Sequence, residues 1–243
     1  MDKHLQKHIQ ENRVSVRAGL VMLEGVLFVP KGAKGIIVFA HGSGTHLDSH
    51  CDRFIAQMLH SGKLATLLID LLTPQEEHSD QHTLHLGCDI DRLVARLMGV
   101  TNWLLHNPTT QHLKIGYLGD STGSAAAVVT ATFFPDTVGA IACYNGHLDL
   151  AGAALFQVRV PILLVVGGNY TSILTINRRV IHYLQTKKQL AILPNVTHLY
   201  EKPSSLEEAA RLARRWFDHY LTPVDQPKPN AQQANEQSAI EQS

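Results

Sequence analysis

The chain has 243 residues, 44% of them hydrophobic, which is enough for one α/β domain with a well-covered sheet. Its 21 basic and 21 acidic residues cancel, which argues against nucleic acid or an anionic membrane as a partner. No apolar stretch approaches the ~20 residues of a membrane helix. The three cysteines, Cys51, Cys88 and Cys143, are odd in number and widely spaced, as free thiols of a reducing compartment are.

Residues 1–13 read as a polar lead-in without the apolar core of a signal peptide, so a cytoplasmic location is expected. Residues 14–29 alternate around Ala18-Gly19, as the two antiparallel strands of a hairpin do. Short apolar runs follow at 36–40, 64–69, 113–118, 138–143, 162–166 and 189–193, the pattern of strands buried on both faces. Helical patterns at 52–60, 90–106, 124–133, 172–184 and 206–220 lie between them. Residues 14–221 therefore predict a doubly wound, mostly parallel sheet entered through an antiparallel hairpin. The stretch 222–243 is rich in Pro, Gln, Asn and Ser and is expected to be disordered.

His78, His82 and His85 would share one face at helical spacing, but no carboxylate or cysteine completes a ligand pattern with them. A solvated loop is the expectation there, with no metal and no other cofactor. The polar stretch 73–87 sits between a strand and a long helix, where it is read either as part of a substrate rim or as a surface loop.

The chemistry centres on Gly119-Asp120-Ser121-Thr122-Gly123, placed where the fifth strand runs into a small-residue helix. Gly-x-Ser-x-Gly at such a junction reads as a nucleophile elbow, a turn that presents the serine at the top of the sheet. His198 follows the last strand, and loops at the carboxyl ends of parallel strands converge. Ser121 is thus the expected nucleophile and His198 its general base. The oxyanion hole is expected from the N–H groups of Thr122, next to the nucleophile, and Ser43, in the glycine-rich loop after the third strand. His41, in the same loop, is read as structural, and no role is readable for Asp120.

The segments Phe39-Ala40-His41-Gly42-Ser43-Gly44, Leu67-Leu68-Ile69-Asp70-Leu71-Leu72-Thr73-Pro74, Gly119-Asp120-Ser121-Thr122-Gly123, Gly167-Gly168-Asn169 and Thr197-His198-Leu199 resemble the dienelactone-hydrolase-like branch of the α/β hydrolases. Some bacterial members of that branch are fused to a phosphoribosyltransferase domain. The resemblance implies the α/β-hydrolase fold and a hydrolase of small esters or thioesters. It does not imply lactone specificity, because the dienelactone hydrolases use cysteine where this chain has Ser121.

A second departure is sharper. Related sequences carry Gly-Gly-Asn-Asp after the seventh strand, the aspartate orienting the histidine, whereas this chain reads Gly167-Gly168-Asn169-Tyr170. A neutral phenol cannot stabilise an imidazolium as a carboxylate does. Loss of the acid in such a triad typically lowers turnover about 10⁴-fold. Three readings stand at this point: Asp149, after the sixth strand, supplies the acid (or merely caps a helix); Asn169 orients His198 as a neutral amide; or the site is a weak dyad or inactive. The alternative to an enzyme is an impaired hydrolase-fold protein that binds a ligand or partner.

Overall fold

The computed structural model describes residues 12–41, 47, 49–76 and 89–221. Strands β1 (Asn12–Ala18) and β2 (Val21–Phe28) form the expected hairpin, turning at Gly19, whose φ of +69° is open to glycine. Then follow β3 (Ile36–His41), α1 (His50–His60), β4 (Ala65–Ile69), α2 (Ile90–His106), β5 (Ile115–Asp120), α3 (Thr122–Phe133), β6 (Val138–Tyr144), β7 (Ile162–Gly167), α4 (Thr171–Val180), β8 (Lys188–Leu193) and α5 (Pro203–Leu221). A 3-10 turn at Leu148–Ala151 and a short helical turn at Ala154–Gln157 link β6 to β7. Spatially the strands run β1-β2-β4-β3-β5-β6-β7-β8. Only β1 and β2 are antiparallel to their neighbours. This is the α/β-hydrolase fold.

The two-residue period of the strands sorts their side chains into two layers. Ile36, Val38, Ala40, Ile115 and Tyr117 pack with Leu93, Leu97 and Ala125 beneath α2 and α3. Ile37, Phe39 and Leu118 pack with Ile55, Leu59, Ala213 and Phe217 beneath α1 and α5. By the same alternation, His41 and Asp120, the last residues of β3 and β5, belong to the second layer.

The sequence pattern misjudges one strand. Residues 189–193 read as buried on both faces, but β8 is the terminal strand, paired only with β7, and Lys188, Gln189 and Ile192 are exposed. Helix α4 also ends at Val180, short of 184, because the chain turns at residues 181–183. Helix α5 starts three residues early, on Pro203, whose missing N–H is no loss in a first turn. Among the described residues no helix is long and apolar enough to cross a membrane.

Candidate active site

The turn from β5 into α3 is the elbow. Ser121 has φ +51° and ψ −123°, a conformation costly for a residue with a side chain. Its neighbours hold it there: its N–H donates to the Tyr144 carbonyl at 3.1 Å, and its own carbonyl accepts from His147 N at 3.0 Å. A Cβ on Gly119 would lie 2.5 Å from Ser124 Cα and 2.8 Å from Ser124 N, so only glycine fits beneath the first turn of α3. Ser124, Ala125, Ala126 and Ala127 are wholly buried and small, which permits the close crossing. Ser121 stands at the N-cap position, yet its hydroxyl makes no capping bond. Serine at an N-cap usually spends its oxygen on the helix; here it does not. Thr122 opens α3, where a backbone N–H has no acceptor one turn earlier. Ser43 lies outside the described residues, as do His78, His82, His85 and all of 73–87 beyond Glu76.

His198 sits in the loop between β8 and α5. Asn195 turns that loop with φ +59°, and Lys202 Nζ donates to its carbonyl at 2.9 Å. The Glu201 carboxylate accepts from Thr197 N at 3.0 Å, while Glu201 N donates back to the His198 carbonyl at 3.0 Å. The backbone N–H groups of Thr197, foremost, and His198 pull the Glu201 carboxyl below its ordinary range. Leu199 anchors the loop in the core. The imidazole itself is exposed, packs against the Tyr200 ring with centroids 4.9 Å apart, and receives Tyr200 N at 3.5 Å from Nδ1.

The loops after β7 and β8 are joined through their backbones. Gly168 N donates to Leu193 O at 2.7 Å and Asn169 N to Val196 O at 2.9 Å. A Cβ on Gly167 would stand 2.2 Å from Thr197 O, so glycine is required for the loops to touch. Asn169 is therefore one loop away from His198, but its side chain is exposed and makes no bond to the imidazole. Tyr170 packs its ring against Val166, Ile173 and Leu174. Asp149 lies in the first turn of the 3-10 segment, whose N-cap position is His147, without a side-chain capping bond, and not Asp149. Its side chain is exposed, with no hydrogen bond or ion pair to His198 among the described residues. Among the described residues neither candidate for the orienting group makes a hydrogen bond or ion pair with the histidine.

Sequence reasoning passed over a different group. His41 and Asp120 are register partners at the ends of β3 and β5, and Asp52 of α1 brings Oδ1 to 3.4 Å from His41 Nε2. All three are buried. Burial pushes the Asp120 carboxyl up, as does the charge of Asp52, while His41, His198 and the Tyr200 hydroxyl oppose the rise. Burial also raises Asp52, against the pull of His41. The available signal was a polar residue closing each of two adjacent apolar strands with the same parity.

Comparison with known proteins identifies the family and agrees on the fold. The structure of a dienelactone hydrolase from Anabaena variabilis is 50% identical, covers 88% of this chain and 99% of that one, and superposes with a TM-score of 0.83. Est1E of Butyrivibrio proteoclasticus, solved with ferulic acid bound, shares the fold at 13% identity and a TM-score of 0.69, over 86% of this chain and 99% of its own. Two Mycobacterium tuberculosis sequences, provisionally named phosphoribosyl transferases, are 43% identical over 216 residues, which is 88% of this chain. The chain spans about half the length of those relatives, 48%. Residues 23–221 match the sequence model of the dienelactone hydrolase family. The chain belongs to the dienelactone hydrolase family.

Proposed function

We propose that the protein is a serine hydrolase that cleaves small esters or thioesters through an acyl-enzyme on Ser121, with His198 as general base. The observation that carries this reading is the Ser121 backbone at φ +51° with its hydroxyl released from helix capping. A binding scaffold has no use for a serine held under such strain. The 50% identical relative described as a dienelactone hydrolase supports the same reaction class.

In this mechanism Ser121 Oγ attacks the acyl carbon while its proton passes to an imidazole nitrogen of His198. The oxyanion accepts hydrogen bonds from Thr122 N and, by expectation, Ser43 N. Collapse breaks the bond to the alcohol or thiol, which leaves with the proton from His198. Water, deprotonated by the same imidazole, then attacks the acyl-serine and frees the acid.

A second reading has one observation in its favour. Tyr200 N faces Nδ1 of His198, which favours the tautomer with its proton on Nε2, the opposite of what the acid of a triad enforces. In that reading the protein binds a ligand or partner with a disarmed site. Intact-mass labelling with a fluorophosphonate separates the two. A single adduct on wild type, lost in Ser121→Ala and slowed in His198→Ala, is the expected result. Folded wild type that takes up no probe would refute the enzyme.

A further inference from the structure

Two asparagines beside the elbow are buried, Asn145 at 3% exposure and Asn177 at none. An amide taken out of water is costly, and what it bonds shows what it holds. Asn145 follows β6 with φ +43°, a region that asparagine enters more readily than most residues. Its Oδ1 accepts at 3.1 Å from the N–H of Gly167, the last residue of β7. Asn177, on α4, donates from Nδ2 to the Gly146 carbonyl at 2.9 Å and to Ile173 O, one turn back in its own helix, at 2.8 Å. The oxygen of one amide meets an N–H and the nitrogen of the other meets two carbonyls, so these partners fix how each amide is turned.

The bonds converge on residues 144–147, the segment that holds Ser121. Tyr144 O and His147 N engage both backbone groups of the serine. Gly146 lies so close to the first turn of α3 that a Cβ there would stand 2.7 Å from Ser124 Cβ. A serine at φ +51° keeps that angle only where its surroundings over-determine it. Residues 144–147 supply the constraint, and two side chains fix them in turn, Asn145 from the β7 side and Asn177 from α4. Gly167 also lies against the Thr197 carbonyl, in the loop of His198. One oxygen, Asn145 Oδ1, thus joins the segment bracing the serine to the strand end on which the histidine's loop rests.

We propose that Asn145 and Asn177 are positioning residues for acylation at Ser121: they lock residues 144–147 as the brace that keeps the serine at its positive φ, and Asn145 sets that brace against the loop of His198. This rests on the reading of Ser121 and His198 as nucleophile and base. Neither amide touches the reacting atoms or exchanges a proton with them. Without the brace the serine backbone relaxes, and Oγ shifts relative to Thr122 N and the imidazole.

The test is fluorophosphonate labelling of the full chain, followed to saturation in probe and run well below the melting temperature of every variant. Asn145→Gly keeps the positive φ without strain and removes the acceptor for Gly167 N. Asn177→Leu keeps the branched shape and removes the donor to Gly146 O. Each is expected to lower the limiting labelling rate roughly 10- to 100-fold, as a displacement of about 1 Å does, with the half-saturating probe concentration unchanged. Asn145→Asp is the conservative variant: it returns an acceptor to Gly167 N and gives up only Nδ2, which has no hydrogen-bond partner among the described residues. It should recover the rate to within about threefold of wild type. Thr110→Val is the control for stability. It deletes a buried hydroxyl bonded to Leu104 O at 2.8 Å, at the opposite end of β5 from the elbow, and should melt lower yet label like wild type. Asn145→Gly and Asn177→Leu proteins that label at the wild-type rate overturn the proposal, and a loss in only one of them overturns the shared brace. So does a loss that Thr110→Val reproduces at equal Tm, or one that Asn145→Asp does not restore. Should either variant fail to fold, Asn145→Ser or Asn177→Ser takes its place and is read the same way. An unlabelled wild type would instead overturn the Ser121 reading itself, and this proposal with it.

Discussion

Replacing Gly119 by alanine tests the elbow through geometry alone. The added Cβ would sit 2.5 Å from Ser124 Cα and 2.8 Å from Ser124 N, both backbone atoms of a buried helix turn. No flexible side chain is available to yield, so either α3 lifts from β5 or the elbow rotates. Overpacking of this kind costs about 1–3 kcal/mol. In a domain of this size that lowers Tm by roughly 2–12 °C. Displacing a reacting atom by ~1 Å is worth about 100-fold in rate, and Ser121 lies two residues from the new methyl. The expected outcome is a folded protein with the lower Tm and labelling at Ser121 reduced on the order of 100-fold. Gly32→Ala is the control: its Cβ meets nothing within 4 Å, though its φ of +72° carries strain of about 1–2 kcal/mol. It should label at the wild-type rate. If Gly119→Ala melts and labels like wild type, the account of the elbow as a turn held by glycine is wrong.

Tyr170→Asp restores a carboxylate at the family position, on a loop already bonded to the one that carries His198. Labelling is expected to rise at least about 10-fold, part of the ~10⁴ a triad acid supplies, while Tm falls as the ring leaves its apolar cluster. Asp149→Asn should leave the rate within about twofold, since an exposed charge without a partner contributes little; a larger drop would return Asp149 to the triad. Away from the site, burial lowers His60 from 6.5 to about 4, and the ring packs at a tilt against Phe28 and bonds Thr66 Oγ1 at 2.8 Å. A depressed histidine leaves the folded state neutral while the unfolded state takes up a proton. Stability should therefore be intact above pH 6.5, fall between 6.5 and 4, and level off below. The part of that slope due to this residue should vanish in His60→Gln, which melting across the window would reveal.

The hairpin, the strand and helix succession and the elbow were readable because each rests on local pattern: alternation around Gly19, short apolar runs, and Gly-x-Ser-x-Gly at a strand end. Strand β8 was misjudged because a run such as Leu190-Ala191-Ile192-Leu193 carries no mark of lying at the edge of a sheet. The His41, Asp52 and Asp120 group was invisible for a related reason. Its members come from three elements separated by up to 79 positions, and only the parallel register of β3 with β5 sets His41 beside Asp120. Equally, Asp149 was read as a candidate acid because it stands on the loop after the sixth strand, whereas the 3-10 turn leaves its side chain exposed.

The seam between the loops after β7 and β8 is built from Gly168 N, Asn169 N and the carbonyls of Leu193 and Val196, with no side chain taking part. Its shape is therefore indifferent to what stands at position 170. In the genetic code, tyrosine and aspartate codons differ at one base. A single-base change is thus enough to exchange the phenol at this position for a carboxylate, on a loop whose joint to its neighbour is made by backbone groups.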